Sequence, residues 1–368
     1  MFYQEIAFIC EFCGFNLQYM TVAEPWSINK AQEWYKQQGF LCGANFLPST
    51  AINQLEMWQA ETWDAPTIDK ELGWASKIGM NVMRVYLHDL LWKDNGEDFL
   101  ARMDAFLTIA QSHDIRILFV IFDDCWNQNP QAGKQPNPLP YVHNSGWVQS
   151  PGVAKVNNPE TWDALETYVK GVLTHFKDDE RILGWDLYNE PGNGTSGDAS
   201  MGEDKQGARS LPLLKKVFQW AREVNGLSQP ITAGLWIEQE EWTDINAFLL
   251  SQSDILTFHS YDPPIKMLER AERVKAQRKG YPLICTEYMG RTAGSTFRYN
   301  MSVLKNHGIG AINWGLVSGK SQTIYPWGWS EQKGTPPLYF HDVFHTDGRF
   351  LYPSEEKDIL AITGKGAE

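Results

Sequence analysis

Residues able to do chemistry recur where apolar runs end. "NVMRVYLH" (81–88) carries Arg84 and His88, "IRILFVIFDD" (115–124) closes on Asp123 and Asp124, and "RILGWDLYNE" (181–190) closes on Asn189 and Glu190. "PITAGLWI" (230–237) ends at Trp236 just before Glu238, "DILTFHSY" (254–261) at His259 and Tyr261, "YPLICTEY" (281–288) near Glu287, and "GIGAINWG" (308–315) near Trp314. Taken alone, Asn189-Glu190 before Pro191-Gly192 fits a solvated turn equally well. Polar groups at every one of these ends do not, because each would need its own buried partner if packing were the reason.

Glu190 and Glu287 are the pair with the clearest chemistry. Two carboxylates facing one another can cleave an acetal: one, kept protonated by its surroundings, gives its proton to the leaving oxygen, and the other attacks the carbon. A separation of about 5 Å makes the second a nucleophile and retains configuration, whereas about 6.5–9.5 Å admits a water and inverts it. The sequence carries the residues and not the distance.

Such groups need a frame. Between the apolar runs lie segments with helical spacing: 67–79 (Ile68, Leu72, Ala75, Ile78), 96–113, 159–177 with Pro159 suited to a first turn, 207–224, 241–251, 265–279, 296–307 and 353–363. With "FLCGANF" (40–46) as the first, eight strand-like runs alternate with helices, and several read as continuous apolar stretches, as strands covered on both faces do. The expectation is an α/β fold, a (β/α)8 TIM barrel in a single domain over 36–368, with 1–35 as an N-terminal extension. In such barrels the site lies at the C-terminal ends of the strands. Long loops follow strands 3 (125–158) and 8 (316–350), and loops of that length usually serve as lids or walls. Walls there would turn an open cleft into a pocket and favour short substrates or attack at chain ends.

The bulk composition agrees with a globular enzyme: 368 residues, 43% hydrophobic, with a formal net charge of −13. No dense Lys/Arg run is present, which argues against nucleic acid or an anionic membrane as partner. No run of 18 apolar residues exists, so no membrane span is expected. The chain has 16 Trp and 14 Tyr. Rings near loops, among them Trp126 and Trp236, suit the flat faces of sugars. There is no GxGxxG or Walker loop, and no cofactor is expected. Cys42, Cys125 and Cys285 lie in or beside apolar runs and read as small buried hydrophobes; Cys10-x-x-Cys13 has no second pair at zinc spacing. The first 23 residues are apolar, yet they contain no Lys or Arg and are interrupted by Glu5 and Glu11, a poor secretory signal. A degenerate leader and ordinary structure both remain open, as do a cytoplasmic or an exported location and the oligomeric state.

"YNEP", "TEY" and the intervening "FHSYDP" resemble the motifs of clan A retaining glycoside hydrolases, most closely the cellulase family, family 5, over roughly 40–350. The resemblance implies Glu190 as acid/base, Asn189 as the group on the sugar 2-hydroxyl, Glu287 as nucleophile and Arg84 as the cation that keeps it ionised. It further implies His259 and Tyr261 lining the site, with the tyrosine hydroxyl orienting the nucleophile, and Trp314 as a platform under the cleaved sugar. The implied partner is a carbohydrate, a plant-type β-linked polysaccharide or its oligosaccharides. Glucan, mannan and xylan enzymes share this framework. The chain departs from the family at "FDDCW", where a His usually ends the third strand; there Asp123 or Asp124 takes a sugar-hydroxyl contact or serves structure.

Two other readings compete. A metal-dependent hydrolase would use His88-Asp89, Asp123-Asp124, His259 and Asp262. It is disfavoured by the absence of His-x-His on the first strand and of HExxH, and by the lack of an adjacent Glu in His341-x-x-x-His345, so no metal is expected. A non-catalytic sugar-binding barrel would not need both carboxylates together with Arg84 and Tyr261. Glu240 and Glu241 read as helix N-terminal acids, and Glu238 as a sugar contact.

Overall fold

The computed structural model describes residues 23–193 and 206–367. The possible leader and Cys10-x-x-Cys13 therefore lie outside the described residues. Eight parallel strands form the barrel: β1 (Cys42–Asn45), β2 (Val82–Tyr86), β3 (Arg116–Asp123), β4 (Ile182–Asn189), β5 (Ile231–Thr232), β6 (Leu256–His259), β7 (Leu283–Glu287) and β8 (Gly310–Trp314). Each strand pairs with its sequence neighbour from β1 to β5 and from β6 to β8, and β1 also pairs with β8. At the remaining seam, a parallel bridge joins Leu235 to Phe258, with Leu235 N–H donating to Thr257 O (2.9 Å) and His259 N–H to Leu235 O (3.1 Å).

β3 shows how an uninterrupted apolar run serves both sides of a barrel wall. Successive side chains point to opposite faces: Leu118 joins the inner cluster with Leu41, Val82, Leu183, Ile255, Ile284 and Ile312, while Ile117, Phe119 and Ile121 pack outward into the core beneath the helices. Trp34 and Tyr35 of the helix Ile28–Gln38 pack against that inner cluster at the bottom. The helix is tied down by Trp26 N–H to Asp254 (2.7 Å) and Tyr35 OH to Gly308 O (3.1 Å). The barrel floor is thus closed, and the open end is where the strands finish.

The expected alternation holds, with differences at element ends. The run 230–237 pairs as a regular strand only at Ile231–Thr232; Ala233 and Gly234 are unpaired, and Leu235 forms an isolated bridge. The second barrel helix begins at Asp89, not near 96, and runs to Ser112 through a kink at Asn95 (φ −161°, ψ 94°). The segment 296–307 is a π-helical turn, Phe297–Met301, followed by the short helix Ser302–Asn306.

Candidate active site

Glu190 and Glu287 stand at the tips of β4 and β7, and with His259 they form a group in which one side-chain ligand atom of each lies within 4.8 Å of the others. They share a cavity of about 320 Å³ with Cys125, Trp126, His143, Asn144, Asn189, Asn193, Trp236, Tyr261, Arg270, Trp314 and Trp327.

Local backbone geometry aims Glu190 into this space. Its φ is +43°, a left-handed conformation uncommon for a side chain with a Cβ. Gly192 follows with φ +87°, where a Cβ would lie 2.6 Å from Gly207 Cα. The Gly192 N–H donates to Asp124 Oδ2 (2.7 Å), which also accepts from Ser210, while Asp124 Oδ1 accepts from the Tyr188 hydroxyl (2.7 Å). Asp124 therefore pins the turn that carries the carboxylate. Backbone strain of this kind concentrates at functional sites, and Trp126 (φ +67°) and Asn144 (φ +48°), both bordering the cavity, share it.

Glu287 sits in a charged cradle. Arg84, fully buried, donates through Nη1 to Glu287 Oε1 (2.9 Å) and through Nη2 to Asn189 Oδ1 (2.7 Å), and it is ion-paired to buried Asp186 (2.8 Å). The Tyr261 hydroxyl donates to Glu287 Oε2 (2.7 Å) and the Tyr86 hydroxyl to Oε1 (3.1 Å). Among the described residues no Lys or Arg pairs with Glu190. Its Oε2 accepts from Asn193 Nδ2 (2.6 Å) and from the Cys125 thiol (3.2 Å), and its Oε1 bonds His259 Nδ1 (2.7 Å).

These surroundings shift both acids in the same direction. Burial is the largest influence on each and raises both pKa values. The Arg84 guanidinium opposes that rise at both, by direct contact at Glu287 and through space at Glu190, while the charge of Glu190 adds to the rise at Glu287. Burial lowers His259 to about 4, leaving a neutral imidazole. Its Nε2 is buried without a partner among the described residues, so the tautomer protonated on Nδ1 leaves only a lone pair unsatisfied.

The other sequence candidates fall into two groups. Asn189, Tyr261, His259, Trp126, Trp236 and Trp314 line the cavity, with Trp236 Nε1 donating to Pro191 O (3.2 Å). Arg84 lies behind Glu287 and Asn189. Asp123 and Asp124 do not border the cavity, and their oxygens accept from protein donors, which favours the structural alternative over a sugar contact. Asp123 accepts from Asn189 Nδ2 (2.8 Å) and Trp147 Nε1 (2.7 Å), so it orients an amide and an indole, and burial pushes its carboxyl up to about 7. Glu238 is likewise outside the lining, paired with Arg273 (2.7 Å).

The residues that would suggest a metal centre are dispersed. His88 Nε2 bonds Gln149 O (2.9 Å), and Asp89 pairs with Lys155. Glu190, His259 and Glu287 do converge, but a buried guanidinium already occupies one carboxylate of that trio, so the donor set does not fit a divalent cation well.

Cys125, His143, Asn144, Asn193, Arg270 and Trp327 were not anticipated as part of the site. Cys42 and Cys285 are the buried free thiols expected of them, whereas Cys125 touches Glu190 and Asn189. The one available signal was position: Cys125 and Trp126 directly follow the β3 tip, where barrel chemistry is placed.

A parallel barrel with two carboxylates converging at its open end has the groups that acetal hydrolysis needs. The sequence matches Cellulase (glycosyl hydrolase family 5) over residues 44–320, and the chain belongs to that family. It is thus a hydrolase of β-glycosidic bonds with a carbohydrate substrate. No curated protein matches the chain. Among solved structures, GH5_18 from Bifidobacterium longum, in complex with Manβ1-4GlcNAc, is similar at 13% identity, with TM-score 0.60 over 89% of this chain and 79% of that one. The endo-1,4-β-D-mannanase of Thermotoga petrophila is similar at 15% identity, TM-score 0.57, over 88% and 99%. The β-1,4-mannanase of the sea hare Aplysia kurodai is similar at 18% identity, TM-score 0.53, over 75% and 88%. At these identities the likeness speaks for the fold. No described helix is long and apolar enough to cross a membrane.

Proposed function

We propose that this protein cleaves β-glycosides with retention of configuration, by double displacement, with Glu287 as nucleophile and Glu190 as acid/base. The observation that supports this reading is the approach of the two carboxylates, with nearest side-chain oxygens within 4.8 Å, closer to the separation of about 5 Å that suits direct attack than to the gap of about 6.5–9.5 Å of inverting enzymes. In the first step Glu287 attacks the anomeric carbon while Glu190 passes its proton to the departing glycosidic oxygen. In the second, Glu190 takes a proton from water, whose oxygen attacks the same carbon and releases Glu287.

Asn189, fixed between Arg84 and Asp123, is suited to hold the sugar 2-hydroxyl, a contact that strengthens as positive charge develops at the ring. Trp314, held edge-on by Tyr86 (centroids 5.9 Å apart) and Trp147 (5.8 Å), is suited to stack under the glycone. Several similar barrels bear the name mannanase, which puts β-mannosides first among the substrates to try, followed by β-glucosides and β-xylosides.

The test is product analysis on that panel, polymers and oligosaccharides alike, for wild type and Glu287→Gln at matched folding. The expected outcome is wild-type turnover unaffected by EDTA and a loss in the variant of roughly 10⁴-fold or more, as for removal of a covalent nucleophile. Full activity in Glu287→Gln would overturn the reading. So would activity that chelation removes and a divalent cation restores.

A further inference from the structure

The long loops after β3 and β8 do not stand apart. Asn144 N–H donates to Ser321 O (2.9 Å), Tyr141 N–H to Gln322 Oε1 (2.9 Å), and His143 Nδ1 bonds Tyr325 O (2.9 Å). In the barrel β2 and β1 lie between β3 and β8, so loops joined in this way pass over the tops of β1 and β2 and wall that side of the mouth. Glu190, whose proton goes to the leaving group, stands at β4, with Trp236 and Arg270 beyond it on the β5 and β6 side. The aglycone leaves in that direction, and the wall therefore stands behind the glycone.

Behind Trp314 and Asn144 lies a separate small pocket, lined also by Asn45, Tyr86 and Trp147, of about 20 Å³, room for a water and none for a second sugar ring. Asn144 forms the inner face of this end. It is 1% exposed, it borders both the main cavity and the small pocket, and neither Oδ1 nor Nδ2 has a hydrogen-bond partner among the described residues. A buried amide with both atoms unpaired is costly unless something pairs with it. One donor and one acceptor side by side match the hydroxyls on the far rim of a pyranose seated over Trp314.

We propose that the glycone site is blind and takes a single non-reducing terminal sugar, with Asn144 as the specificity-determining residue that reads its hydroxyls. The inference rests on the assignment of Glu190 and Glu287 given above, which fixes the direction of the leaving group.

The test uses reducing-end-labelled β-1,4-linked manno-, gluco- and xylo-oligosaccharides with the full chain. The expected pattern is free monosaccharide from the first time point, with the label moving down one unit at a time. In Asn144→Ala, kcat/KM for the cleaved series should fall roughly 10- to 100-fold, the loss of one or two hydrogen bonds to substrate, while the unfolding midpoint stays close to wild type. Early labelled fragments from internal cuts would overturn the blind pocket while leaving the retaining mechanism standing, provided Glu287→Gln is inactive on the same substrates. Unchanged kcat/KM in Asn144→Ala with a lowered unfolding midpoint would overturn the role of Asn144 and assign its amide to an internal water. Activity in Glu287→Gln would instead remove the underlying assignment.

Discussion

Glu190 differs from Glu287 in the kind of donor that holds it. Neutral groups, Asn193, Cys125 and His259, surround Glu190, while Arg84 touches Glu287. The thiol of Cys125 is pushed well above its ordinary value by burial and by the neighbouring carboxylates, so it stays protonated and donates to Glu190 Oε2. A hydrogen bond given to the ionised carboxylate favours that form, so the thiol partly offsets the rise that burial imposes on Glu190. Cys125→Ala removes the donor and raises the Glu190 pKa. Since the acid/base must be protonated for the first step, the alkaline limb of the kcat/KM profile should move to higher pH, and Cys125→Ser should bring it back. A limb that stays in place in Cys125→Ala would contradict this account of the contact. The sequence offered Cys125 as one more small apolar residue. Its contact with Glu190 joins positions 65 apart, and no local pattern encodes that.

Strand tips and the turns after them locate the chemistry, and two consecutive aspartates at the β3 tip support it from behind. Asp124 accepts from Tyr188, Gly192 and Ser210. Replacing it with Ala strands those donors inside the protein, and Asp124→Ala should lose about 1–3 kcal/mol of unfolding free energy in urea titration. A variant as stable as wild type would show that the turn does not depend on this carboxylate. What the sequence disclosed of the elements follows from burial. β3 and β4, covered on both faces, read as long apolar runs, and their bounds were found to within a residue or two. The helix Ile28–Gln38 went unseen because it is mostly polar and buries only Ala31 among its own residues. The run through β5 looked longer than it is, because apolar composition at Ala233–Leu235 gives no sign that Gly234 leaves room for His259, whose Nε2 would lie 3.1 Å from a Cβ there. Tip residues such as Asn189, Glu190 and Glu287 were legible because a polar group closing an apolar strand stands out. Asn144 and His143 were not, since they sit in a loop whose left-handed turns have no period to read.

At the scale of the molecule, and among the described residues, a closed floor and the joined β3 and β8 loops bound the space in front of the carboxylates on two sides. The inner cluster fills the bottom of the barrel, the joined β3 and β8 loops cover the β1–β2 side, and the cavity lies between them and the β4–β6 arc. The barrel holds Glu190 and Glu287 on strands that are not neighbours, so their separation is a property of the whole fold and not of any one segment. That separation is the basis of the proposed retaining mechanism, and it was the quantity absent from the sequence.

The most direct test is covalent trapping. The enzyme is incubated with 2-deoxy-2-fluoro-β-glycosyl fluorides of mannose, glucose and xylose, then digested, and the peptides are weighed by mass spectrometry. The account predicts time-dependent inactivation by the fluoride of the preferred sugar and one fluoroglycosyl adduct on the peptide bearing Glu287. An adduct on Glu190 in its place would contradict it, as would turnover that yields inverted product with no adduct on either carboxylate.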